Sequence, residues 1–195
     1  MMDFVDMLKK RRSVYNLNKN LPVSKDKVFE IINDAVKYVP DAFNMQSQCV
    51  LVIVGDKNRD FWNNVYDVLV DVSGKQLSRE KTDSFGNGYG TILYFYDKNI
   101  VDKYKKNFPL YAENFNNWAT QSNAMLQFAI WTALANVGVG ASLQHYNPVI
   151  DDMVRKVFDV PENWVLNAQM PFGGIEIAPE SKQFDDISHR VKIME

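Results

Sequence analysis

The segment from Thr120 to Pro148, TQSNAMLQFAIWTALANVGVGASLQHYNP, restricts the possible folds of this chain more than any other. Its large apolar residues, Met125, Leu126, Phe128, Trp131 and Leu134, are spread too widely for one amphipathic stripe. A helix apolar over most of its circumference is buried on most sides. The pattern therefore predicts a central rod with the rest of the chain packed around it. At about 1.5 Å per residue the helix up to Val137 spans roughly 25 Å, the width of a small domain. Gly138 is placed to end it, because glycine takes the left-handed conformation that closes a helix. Gly140 to Leu143 then reads as a short extended segment. It leads into the polar and aromatic cluster Gln144 to Pro148, where the buried element surfaces.

The remaining segments read as companions to this rod. Phe4 to Leu8 starts a short helix that Lys9-Lys10-Arg11-Arg12 ends, and an asparagine-rich loop, Asn16 to Asn20, follows. Ser24 caps a second helix with Val28, Ile31, Ile32, Ala35 and Val36 on its apolar face, and Pro40 marks its exit. Cys49 to Val54 is a continuous β-branched apolar run, the signature of a strand buried on both faces. A third helix is expected from about Asn58 to Val72, further strands over Thr91–Tyr96 and Trp164–Phe172, and short helices over Lys98–Lys106 and Val149–Phe158. Ser78 to Gly90 is polar and glycine-punctuated, and lacks the Gly-Lys-Ser/Thr ending of a nucleotide-triphosphate loop. The residues from Ala178 onward form a polar tail. No repeat or linker divides the chain, so residues 1–195 are expected to form one domain of mixed α and β structure.

Composition excludes several classes of function. A net charge of −2, from 22 basic and 24 acidic side chains, gives no global attraction to nucleic acid or an anionic membrane. No run of about 18 apolar residues is present, because Gln127 and Asn136 interrupt the best candidate. The start of the chain lacks an apolar segment after its basic run and does not read as a secretory signal. With a lone Cys49 this points to a reducing, cytoplasmic setting. Two histidines and one cysteine offer no usual transition-metal constellation. Aromatics make up 13% of the chain, and many fall outside the core segments, notably in Phe108 to Trp118. That stretch reads either as a packed connection or as a lid over an aromatic-lined pocket.

Four short motifs carry a resemblance to the flavin-dependent nitroreductases. Arg11-Arg12-Ser13 resembles that family's amino-terminal Arg-x-Ser phosphate signature. Pro40-Asp41-Ala42-Phe43-Asn44-Met45-Gln46-Ser47 is similar to its Pro-Ser-x-x-Asn-x-Gln-Pro segment, with Asp41 and Ser47 as departures. Gly138-Val139-Gly140 resembles the end of its core helix. Gln169-Met170-Pro171-Phe172-Gly173-Gly174, with Lys182 eight residues on, is similar to its last strand, glycine turn and basic phosphate ligand. The details are closest to a short subgroup that includes the fungal fatty-acid-repression proteins and the copper-induced nitroreductase of lactic acid bacteria.

The resemblance implies an α+β nitroreductase-like fold: a central, mostly antiparallel sheet flanked by helices, with the long core helix at a homodimer interface. It further implies FMN as cofactor and NADH or NADPH as electron donor. Nitroaromatic or quinone-type molecules, small and flat, would accept two electrons, in detoxification or redox stress. On this basis Arg11, Arg12, Ser13 and Lys182 would hold the FMN phosphate. Asn44, Gln46, Gln144, His145 and Gly173 would contact the rest of the flavin. Phe43, Tyr104, Phe108, Tyr111, Phe115 and Trp118 would wall the substrate pocket. No protein acid or nucleophile is required, since the flavin carries the chemistry. Two other readings fit the same residues: a flavin-binding sensor or regulator with little turnover, and a helical ligand-binding domain without flavin.

Overall fold

The computed structural model of the chain describes residues 3–195. In chain order it runs through α1 (Phe4–Lys10), β1 (Leu17–Asn18), α2 (Lys25–Tyr38), β2 (Gln48–Val54), α3 (Asp56–Ser73), α4 (Glu80–Gly86), β3 (Gly90–Asp97), α5 (Lys98–Asn107), α6 (Phe115–Asn136), β4 (Gly140–Ala141), α7 (Asp151–Phe158) and β5 (Trp164–Ile175). Single 3-10 turns at Ala42–Asn44 and Pro109–Asn114 precede β2 and α6. The strands form one antiparallel sheet in the order β1-β5-β3-β2, with β4 also paired to β5. This is the α+β arrangement expected from the sequence.

The sheet separates two cores, and β3 shows how. Side chains alternate across a strand, so Ile92 and Tyr94 enter one core while Leu93 and Phe95 enter the other. The first core holds α2 and α6, through Val28, Ile32, Leu126, Ile130 and Leu134. The second holds α3, α4 and α7, through Phe61, Trp62, Val65, Phe85 and Val154. A register shift between β3 and β5 at Tyr94/Phe95 sends Ala168 to the first core and Leu166 to the second.

Helix α6 is the element on which the first core is built. It begins at Phe115, five residues before the start anticipated from the sequence, because Phe115 and Ala119 are already buried. Three buried polar residues in its middle are accounted for. Asn123 Nδ2 donates to the Phe95 carbonyl at 2.9 Å and to Gln48 Oε1 at 2.5 Å, and Gln127 Nε2 donates to Asn123 Oδ1 at 2.6 Å. Ser122 Oγ accepts from the Ala42 amide at 3.3 Å. These bonds tie the helix to β2, β3 and the loop before β2. At its end Gly138 takes φ 82°, Gly138 N–H bonds Ala135 O and Val139 N–H bonds Leu134 O. That pair of bonds is a Schellman cap.

Two expectations are corrected. β2 is an edge strand, half-buried over most of its length with only Ile53 fully buried, so its apolar run does not mark burial on both faces. β3 and β5 are the buried strands instead. The asparagine-rich loop contains β1, and the polar segment 78–90 contains α4, whose Phe85 is fully buried beside Trp62. α6 leaves Met125 and Phe128 about two-fifths exposed in the single chain, which is compatible with the partner contact that the resemblance implies.

Gly173 sits where β5, paired with β1, passes close against the turn before β3. A Cβ there would press on the Asn18 carbonyl oxygen and approach Tyr89 N at 2.9 Å, both main-chain atoms that cannot swing aside. Packing alone therefore demands glycine at this position. Overpacking of this kind costs about 1–3 kcal/mol, so Gly173→Ala is expected to lower the unfolding free energy by about 2 kcal/mol in urea denaturation. Unchanged stability would contradict the close main-chain approach.

Candidate functional site

The basic run forms one corner of the site. α1 ends at Arg11, whose extended backbone leads into a segment running beside β4: Ser13 bridges Ala141, and Val14 N–H bonds the Ala141 carbonyl at 2.9 Å. The Arg11 guanidinium lies 4.1 Å above the Trp131 ring, an orientation that stabilises a cation over the aromatic face. Trp131 is itself fixed, because its Nε1 donates to the same Ala141 carbonyl at 3.1 Å. Arg11 Nη1 is buried and bonds nothing among the described residues. Burial, reinforced by the neighbouring Arg12 charge, lowers the Arg11 pKa from its ordinary value.

A buried donor without a partner is costly, and a cation so placed is suited to an anion. Lys10 Nζ donates to the Asn136 carbonyl at 2.8 Å and Arg12 Nη2 to the Glu180 carbonyl at 2.6 Å. Among the described residues none of these three cations is paired with a carboxylate. The Arg12 bond also ties the exposed C-terminal segment to this corner. Lys182 follows Glu180 by two residues, its ammonium 5.4 Å from the Phe184 ring.

The second part is the loop between α2 and β2. Phe43, Asn44 and Gln46 all have left-handed backbones, with φ of 55°, 51° and 52°. Such a backbone costs Phe43 and Gln46 roughly 1–2 kcal/mol each and Asn44 less, and clustered strain of this kind is characteristic of functional loops. Met45 is buried against Phe115, Ala119 and Val101 and anchors the loop from within. Asn44 and Gln46 remain exposed, with their amides free to meet a ligand.

The aromatic residues singled out from the sequence gather beside this loop. The Phe43 ring lies 4.8 Å from Phe108, 6.1 Å from Tyr111, 5.3 Å from Phe115 and 5.7 Å from Trp118 (centroid distances), and Tyr104 lies 6.0 Å from Phe108. Phe115 is fully buried beneath the others and supports them, whereas Phe43, Phe108 and Tyr111 are exposed. The stretch 108–118 is thus both connection and aromatic surface.

Gln144, His145 and Gly173 are placed differently. Gln144 exchanges both main-chain bonds with Gln169, at 2.7 and 2.9 Å, and its buried side-chain amide donates to Ser142 Oγ at 3.1 Å. That amide is committed inside the protein. His145 is exposed beside it, and Gly173 is occupied by the packing described above. Trp131 and Asp41 are the functional candidates that the sequence reading did not single out. The signal for Trp131 was a ring near the end of the core helix; for Asp41 it was a charge in an otherwise uncharged loop.

The fold and this arrangement define an oxidoreductase of nitroreductase architecture. The chain belongs to the Nitroreductase family, whose sequence profile matches residues 8–174. It is 32% identical over 184 residues to nitroreductase FRM2 of Saccharomyces cerevisiae, covering 93% of each chain. Among solved structures it superposes on nitroreductase CinD from Lactococcus lactis, in complex with chloramphenicol, with a TM-score of 0.93 at 38% identity, covering 99% of this chain and 100% of that one. CinD has also been solved with 4-nitrophenol, where the TM-score is 0.92. Among the described residues no helix is long and apolar enough to cross a membrane, and no cluster of metal-ligating side chains occurs.

Glycine adopts the left-handed region without the steric penalty that Gln46 bears. Gln46→Gly is therefore expected to raise the unfolding free energy by about 1 kcal/mol, read as a higher urea midpoint at unchanged slope. A lower midpoint would show that the loop is not strained at this residue.

Proposed function

We propose that this chain is an FMN-dependent NAD(P)H oxidoreductase that reduces nitroaromatic or quinone-type acceptors and works as a homodimer in the cytoplasm, in detoxification or redox stress. The observation that carries the reading is the buried, unpartnered Arg11 Nη1, set over Trp131 next to Ser13. A phosphate monoester fits this donor set, because it supplies the acceptor oxygens and the negative charge that the corner lacks. Arg12 is tied by its bond to Glu180 to the segment that carries Lys182, a further cation for the phosphate in this reading, and the exposed Asn44 and Gln46 offer amides for the ring system. When bound, FMN supplies the hydride acceptor and two-electron donor. The protein's own contribution is to grip the phosphate, orient the ring and present Phe43, Phe108, Tyr111 and Trp118 to a flat acceptor. The CinD complexes with chloramphenicol and 4-nitrophenol support an aromatic nitro compound as acceptor.

The homodimer reading is supported by where the two halves of the proposed site lie. Arg11 packs on Trp131 near one end of α6, and the Asn44 loop packs on Trp118 near the other. From Trp118 to Trp131 the helix rises about 20 Å. With α6 at a twofold interface, the phosphate corner of one copy meets the amide loop of its partner at one flavin. Exposed apolar side chains support the same assembly: Met125 and Phe128 on α6, Phe4 and Val5 on the adjoining α1, and Phe184, Ile187 and Ile193 in the C-terminal segment. Surfaces of this type are buried in obligate dimers.

Losing one charge-assisted contact costs roughly 1.5–3 kcal/mol. Arg11→Ala is therefore expected to weaken FMN binding roughly 10- to 100-fold, measured by titrating flavin-free protein. Full flavin retention in Arg11→Ala would overturn the phosphate assignment. Steady consumption of NADH or NADPH with a nitroaromatic acceptor is expected of the wild type. Flavin binding without such turnover would favour the regulatory reading.

A further inference from the structure

We propose that Asp41 is a positioning residue, whose carboxylate holds the strained loop so that Asn44 and Gln46 face the flavin; this rests on the FMN reading above. The loop leaves α2 and enters β2 across a staple made by one oxygen. Asp41 Oδ2 accepts from Ser47 N–H at 2.7 Å and from Ser47 Oγ at 2.8 Å, closing the two ends over a separation of six residues. Ser47 is fully buried, so water does not compete for these bonds.

The staple is fixed to the rest of the protein. Gln48 Nε2 donates to Ser47 Oγ at 3.0 Å and to the Ala119 carbonyl at 3.1 Å, and Gln48 Oε1 accepts from Asn123. The loop ends are thereby referenced to α6, the same helix that positions Trp131 and Arg11.

Between the stapled ends lie the three left-handed residues, all exposed, and among them Met45, which has ordinary right-handed backbone and is buried. A backbone in this region persists only where its surroundings over-determine it. Met45 fixes the middle of the loop and Asp41 fixes its ends. Asp41 Oδ1 is buried and unpartnered among the described residues. A half-buried carboxylate with one buried oxygen unsatisfied is a costly way to close a turn, which argues that the conformation it imposes is the purpose.

The test is FMN titration of wild type, Asp41→Ala and Asp41→Asn, together with amide hydrogen exchange on the flavin-free proteins. Asp41→Ala is expected to raise the FMN Kd roughly tenfold, with faster exchange confined to residues 42–47. Asp41→Asn keeps one neutral acceptor for the Ser47 amide and is expected to fall between the two, about threefold weaker than wild type. Wild-type binding with an unchanged Kd in Asp41→Ala overturns the proposal, as does exchange that quickens across the whole fold. If Asp41→Ala does not fold, Asp41→Asn decides, and a Kd and exchange pattern equal to wild type overturn it. A wild-type chain that binds no FMN overturns the flavin reading itself, and the role given to Asp41 falls with it.

Discussion

The packing of α6 against one face of the sheet is the interaction on which the rest of the structure depends. Its apolar side supplies Leu126, Ile130 and Leu134 to the larger core. Its buried amides, Asn123 and Gln127, are satisfied by one another and by groups on β2 and β3. Apolar burial alone would let a helix slide or rotate on a flat sheet. A charge-free hydrogen-bonded seam fixes its position at modest net gain per bond, because an unpaired buried amide is expensive. The helix is held in register as well as held in place.

That register matters because α6 carries one half of the proposed site near each end. Trp131 positions Arg11 at one, while Phe115, Trp118 and Ala119 support the Asn44 loop at the other. The two corners pay different costs. The basic corner leaves a guanidinium nitrogen buried without a partner among the described residues, and the amide loop keeps three side-chain-bearing residues in left-handed conformations. Both costs are local, and both are borne by elements tied to the same rigid helix. Sites that must meet a ligand without rearranging are built in this way.

Much of this was legible in the sequence, for identifiable reasons. The breadth of the apolar pattern in Thr120–Val137 located the core helix, and Gly138 located its end, because helix burial and left-handed caps leave strong local signals. The aromatic residues from Phe108 to Trp118 were recognised as a group, and the structure gathers them around Phe43. Strand burial was misread at Cys49–Val54, since a β-branched run has the same composition on an edge as in the middle of a sheet. β1 is two residues long and leaves no periodicity to detect, whereas β4 falls within the extended segment read at Gly140–Leu143. The side-chain amide of Gln144 looked available from its place in a polar cluster, yet it turns inward to Ser142. Such a choice depends on a strand pairing that no local pattern encodes. The Trp131–Arg11 stack joins residues 120 positions apart and was equally out of reach.

The central claim is that the basic corner and the strained amide loop hold a flavin. The most direct measurement is the visible absorption spectrum of the purified wild-type protein, followed by identification of the cofactor released on heating. The account predicts flavin bands perturbed from those of free FMN, and FMN as the released species. A protein that is colourless as purified, and remains so after incubation with excess FMN, would contradict it.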